Sequence, residues 1–207
     1  MAEYETEEQQ VEALKDWWKQ NGIAVIGGAV LGISALVGWH GWNWHQENQA
    51  IEASDVYTVV QETLAKGDET ALAEQVNILQ DQYGSTPYAS LAVLHHAKVQ
   101  VDKDNGAAAE ESLRWVIKNS KQETVQNVAQ LRLARLLLAD NKIDEAQSMV
   151  SAGMSEAYTS LAKEIQGDIF VAKGDIEEAK KAYDEAMLTA SGSGIEYLQL
   201  KRSDLGS

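Results

Sequence analysis

The side chains that could do chemistry in this chain of 207 residues are four histidines and 32 carboxylates; there is no cysteine. Without a thiol there can be no disulfide, no thiolate nucleophile and no Cys-ligated metal. His95 and His96 are adjacent, so on a helix their rings point about 100° apart and do not chelate one ion from one face. His40 and His45 sit among Trp39, Trp42 and Trp44, where a polar tip on a flat ring suits a membrane interface. No HExxH, GxSxG, CxxC or P-loop pattern occurs. The acids are spread over what read as helix surfaces. Glu177, Glu178, Asp184 and Glu185 beside Lys180 and Lys181, for example, have the three- and four-residue spacing of solvated ion pairs. The expectation is therefore a non-enzymatic protein with no catalytic residues, no cofactor and no metal.

Charge narrows the partners. Acids outnumber bases 32 to 17, for a net charge of −15. Phosphate backbones are bound by neutralising lysines and arginines, so nucleic acid is excluded as a partner. The same excess disfavours anionic headgroups, and any membrane attachment must be apolar.

An apolar attachment is present. Residues 22–44 carry no charge, and residues 23–39 are almost wholly apolar or glycine. The 20 residues between Trp18 and Trp39 span, at about 1.5 Å each, roughly the 30 Å of a hydrocarbon core. Trp17 and Trp18 mark one end, and Trp39, Trp42 and Trp44 the other, at the depth indoles prefer. A cleaved signal peptide would need a basic n-region and a small-x-small site, and neither is found. Lys15 and Lys19 precede the span whereas the first base after it is Lys66, which predicts a cytoplasmic N-terminus. The expected division is thus 1–21 cytoplasmic, 22–44 transmembrane helix and 45–207 translocated domain. Within the span Ala24, Gly28 and Gly32 recur every four residues, a small-residue face for close helix packing. Such a face suits a homodimer as well as docking onto a larger membrane complex.

Beyond residue 46 amphipathic helices alternate with short breaks at Gly67-Asp68, Gly84 to Pro87, Asp104 to Gly106, Asn119-Ser120, Asp140-Asn141, Gly153, Gly174-Asp175 and Ser191 to Gly194. The last unit, GDIFVAKGDIEEAKKAYDEA (167–186), has the small–aromatic–turn–Ala–aromatic–Ala order of a tetratricopeptide hairpin. Aligned on the position five after each turn, Ala179, Ala146, Ala109 and Leu72 are 33, 37 and 37 apart. Tyr183 and Ala186, Val150 and Gly153, Leu113 and Val116, and Val76 and Leu79 follow as core positions. Gly167, Ala134, Ala97 and, less well, Val60 fall where two helices cross closely. The predicted fold is all-α: a single membrane helix followed by a TPR-like solenoid of three to four hairpins, with residues 195–205 as a terminal helix that could cap it.

The first helix of each hairpin would line the concave face. Its inner positions are Leu91, Leu94, Lys98 and Val101; Val128, Leu131, Arg135 and Leu138; and Leu161, Glu164, Asp168 and Val171. Mostly apolar, and running from basic to acidic, they suit a groove for an apolar or amphipathic partner segment. They would equally suit burial beneath the 47–66 helix or the C-terminal helix.

Taken together, VEALKDWWKQNG (11–22), the glycine-rich span and GWHGWNWHQ (38–46) resemble the YfgM family, ancillary subunits of the bacterial Sec translocon. The likeness is most specific over residues 11–46 and runs through essentially the whole chain. It implies an inner-membrane protein with a periplasmic repeat domain, associated with the SecYEG channel and the membrane-anchored chaperone PpiD, that helps hand translocating client proteins to periplasmic chaperones. The competing reading is a membrane-tethered scaffold or regulatory factor for another envelope complex.

Overall fold

The computed structural model describes residues 7–151 and 153–206, and among these every regular element is helical. The chain divides between Asn48 and Gln49 into two compact units.

The first unit is the N-terminal part of helix α1 (Glu7–Lys66). Charged residues stop at Lys19, and the side chains of Ile23, Ile26, Val30, Leu31, Leu36 and Val37 all stand exposed. This is the one helix among the described residues long and apolar enough to cross a membrane, and only 6% of its most apolar stretch is buried. A core helix of a soluble protein would show the opposite. Near its start the helix is locally well tied: Asn21 Nδ2 donates to the Trp17 carbonyl at 2.9 Å, and Gly22 lies against the Trp18 indole.

The second unit is a stack of helical hairpins. Residues 49–66 of α1 pair with α2 (Glu69–Tyr83); α3 (Pro87–Asp102) with α4 (Gly106–Asn119); α5 (Glu123–Ala139) with α6 (Ile143–Ser151); and α7 (Thr159–Lys173) with α8 (Ile176–Thr189). A single 3-10 turn, Glu156–Tyr158, leads into α7, and α9 (Ser193–Ser203) closes the array.

Each hairpin turns in the same way. Gly67, Asp104, Asn141 and Gly174 have φ of +70°, +60°, +60° and +80°. The amide of each bonds the carbonyl three residues back, at Leu64, Val101, Leu138 and Val171. The next amide bonds five back, at Thr63, Gln100, Leu137 and Phe170. This is the Schellman closure, which satisfies the last carbonyls of the first helix and reverses the chain. Glycine or a short polar residue is required because other side chains clash in the left-handed region. Entry to the helices is set by side-chain caps: Asp68 accepts from the Ala71 amide at 3.1 Å, and Thr86 caps α3 with Pro87 at the first helical position.

The repeat-aligned positions form the core. Leu72, Ala109, Ala146 and Ala179 are buried, as are Val76, Leu79, Leu113, Val116, Val150, Tyr183 and Ala186. Close crossings fall at Val60, Ala97, Ala134 and Gly167. Gly167 is the tightest: a Cβ there would lie 2.3 Å from the Tyr183 ring. One expected core position differs. Gly153 is exposed, because α6 ends at Ser151 and the position lies beyond the helix. Gly153 serves only as the break that the sequence also marked.

Candidate functional site

The inner faces of α3, α5 and α7 position the predicted groove residues, and their surroundings differ along the array. Leu94 and Leu131 are 7% and 3% exposed and belong to the core, so they form the floor under the groove rather than its surface. Leu91, Val128 and Leu138 are half-buried. Val101, Leu161 and Val171 are 47%, 38% and 37% exposed. These three, with the heads of Lys98 and Arg135, make the accessible lining.

At the α3–α5 end the groove deepens into an open cleft of about 390 Å³, lined by Ala97, Lys98, Val101, Leu113, Arg132, Arg135, Leu136 and Ala139. Lys98, Val101 and Arg135 are thereby brought together. Arg132 was not among the expected residues, although its position three before Arg135 puts it on the same face of α5. Its guanidinium donates to the Leu94 carbonyl at 3.4 Å, and Lys98 pairs with Asp102 one turn on.

At the α7 end the groove is occupied. Lys201 of α9 reaches Glu164 at 2.8 Å and both oxygens of Asp168 at 2.8–2.9 Å. The Tyr183 hydroxyl donates to Asp168 at 2.6 Å, and Arg135 stands 3.5 Å from Glu164. Lys201 also lies 4.9 Å from the Tyr197 ring centre. Burial and the Asp168 hydrogen bond push the Tyr183 phenol well above its ordinary range. Burial alone would pull the Lys201 ammonium down, but its hydrogen bonds to Asp168 and Glu164 outweigh this and raise it. So two of the predicted inner residues, Glu164 and Asp168, bind their own chain. The sequence held only a weak cue: a Lys-Arg pair in the last turn of a terminal helix.

The two adjacent histidines serve packing. His95 Nε2 lies 3.1 Å from the Tyr57 hydroxyl, and His96 bonds Gln100 at 3.0 Å with Ser112 at 3.4 Å. Burial lowers both imidazoles, and Arg132 and Lys98 lower His95 further. Among the described residues no three His, Asp or Glu side chains are grouped to hold a metal.

In the first unit Gly28 and Gly32 have open space, among the described residues, where a Cβ would stand, and Ala24 is exposed. Trp17, Trp18, Trp39, Trp42 and Trp44 are all at least half exposed.

A model of the tetratricopeptide repeat-like domain family matches residues 15–207, from just before the paired tryptophans to the last residue. The chain is 32% identical over 195 residues to the ancillary SecYEG translocon subunit of Haemophilus influenzae, covering 94% of each chain. It belongs to the ancillary SecYEG translocon subunit family. The family's subunits from Aggregatibacter actinomycetemcomitans and Escherichia coli are 32% and 28% identical to it, over 96% and 98% of this chain. These relatives match from end to end, so family membership takes in the apolar helix as well as the repeats. No solved structure matches the chain.

Proposed function

We propose that this protein is a single-span inner-membrane subunit attached to the SecYEG translocon, with residues 1–21 cytoplasmic, 22–44 spanning and 45–207 periplasmic. The observation that carries the reading is the end-to-end likeness to proteins named as ancillary subunits of that channel. The exposed apolar helix supports the span, and Lys15 and Lys19 support the direction. The Ala24, Gly28 and Gly32 face is the surface through which the span packs against a neighbouring helix. Tethering keeps the repeat domain at the channel exit, so weak contacts suffice there because their effective concentration is high. The groove then engages the periplasmic chaperone PpiD and passes emerging client proteins toward it. No chemical step is needed.

Because the chain lacks cysteine, single cysteines can be introduced without background. A membrane-impermeant maleimide added to intact spheroplasts should label Gln61→Cys and spare Gln10→Cys; the reverse pattern would overturn the orientation. Photo-crosslinkers belong at Gly28 and Gly32 in the span, and at Val101 and Leu161 in the groove. Leu94 and Leu131 are unsuitable because they point into the core. Adducts with channel subunits from the span and with PpiD from the groove are expected. Adducts only with a second copy, or only with an unrelated envelope complex, would defeat the translocon reading.

A further inference from the structure

We propose that the α3–α5 cleft is a binding site for a short acidic peptide segment carrying apolar side chains, with Arg132 as its carboxylate anchor. The inference deepens the docking-groove reading above and rests on it. Two observations single the cleft out. Its floor is apolar: Leu113 lies at the bottom and Val101, 47% exposed, forms one wall. Its rim is basic, bringing Lys98, Arg132 and Arg135 together in a chain whose net charge is −15.

These three cations are not equally engaged. Lys98 is paired with Asp102 and Arg135 faces Glu164. Among the described residues no carboxylate lies within ion-pair distance of Arg132, whose one hydrogen bond goes to the Leu94 carbonyl. That bond holds the guanidinium near the cleft while most of its five N–H donors stay unspent. A planar fork held beside an apolar floor fits a carboxylate followed by a bulky side chain. The local field agrees in sign: burial is the main cause of the lowered His95 imidazole, and Arg132 and Lys98 add to it. A cationic or purely polar segment would gain nothing from this arrangement. The volume, about 390 Å³, is within the roughly 300–1,000 Å³ range of ligand pockets. The acidic end of the groove is closed to the same peptide, since Glu164 and Asp168 already hold Lys201.

The test uses the full chain in zwitterionic nanodiscs and fluorescent ten-residue peptides of alternating Leu and Glu. Three counterparts carry Gln for Glu, Lys for Glu, or Ser for Leu. Anisotropy should show the Leu–Glu peptide binding about tenfold more tightly than each counterpart, and weakening as salt rises from about 0.05 to 0.3 M. Arg132→Glu should weaken it about tenfold or more, with unchanged helical circular dichroism. Lys121→Glu, an exposed position outside the cleft, should leave binding unaltered. Equal binding of the Lys or Ser peptide, no binding of any peptide, or indifference to Arg132→Glu would each overturn the assignment. Replacing the discs' lipid with anionic lipid separates a second possibility: if lipid abolishes peptide binding through Arg132, the cleft is a headgroup site and the peptide assignment is wrong. Loss of the in-cell crosslinks to the channel, with peptide binding intact, would instead remove the translocon role and leave the cleft standing.

Discussion

Tyr183 and Gly167 show how one missing methyl fixes a helix crossing. The ring lies where a Cβ on residue 167 would stand, 2.3 Å away, and its hydroxyl is tied to Asp168. Gly167→Ala must push α8 from α7 or force Tyr183 off its rotamer, so it should lower unfolding free energy by about 1–3 kcal/mol despite alanine's better helix propensity. Denaturant titration of the full chain in detergent would measure this, and a neutral result would mean the crossing is looser than it looks. The histidines of α3 give a pH signature. Burial holds His95 and His96 below the usual imidazole range. The unfolded chain therefore binds more protons below about pH 6.5, and the stability these groups contribute is present above that value and lost as pH falls through their folded values. The thermal midpoint should drop between about pH 7.5 and 5.5, and less steeply in His96→Gln. Glu110 adds to the trend only at lower pH. Its hydrogen bonds to Lys142 and Arg114 hold it below the ordinary carboxylate range, and that stability is lost as acid reprotonates it.

At the scale of elements, the four left-handed turns let the same closure be compared with two kinds of residue. Gly174→Ala should cost about 1–2 kcal/mol, because an L side chain is strained at φ +80°. Asp104→Gly relieves similar strain but adds freedom to the unfolded chain, and should change stability by less than about 0.5 kcal/mol. Equal effects at the two positions would show that the turns are not equivalent. These elements were legible in the sequence because their causes are local. Turn residues 37, 37 and 33 apart sit where the pattern put them, and Leu72, Ala109, Ala146 and Ala179 are buried as the alignment required. Gly153 misled because repeat spacing assumes a full-length second helix, whereas α6 stops at Ser151. The cleft was half legible: Lys98, Val101 and Arg135 follow from the helical period. Lys201, by contrast, reaches Glu164 across 37 residues of sequence, and nothing local encodes that contact.

At the largest scale, the repeat unit that begins at Gln49 is an array with a fastened end. Leu198 of α9 packs with Tyr183 and Ala186 in a cluster of its own, apart from the main core. Hairpin stacks gain stability mostly from neighbour to neighbour. Removing residues 193–207 should therefore loosen α7 and α8 while leaving α3 to α5 protected, as hydrogen exchange would resolve. Uniform loss of protection would show instead that the stack behaves as one cooperative block. The same truncation would free Glu164 and Asp168 for a partner's cation, so the terminal helix sets which end of the groove is open to binding.

The repeated turn also bears on how the chain comes to be folded. Each hairpin is closed by hydrogen bonds no more than five residues apart, and among the described residues the longest side-chain hydrogen bonds bridge only 38 residues. Structures built from such short-range contacts nucleate early and fold fast. In the proposed topology the repeat domain itself must be threaded outward, N-terminal hairpin first. It can set each hairpin as it emerges, without waiting for distant sequence, and α9 seals the stack only when the last residues have arrived.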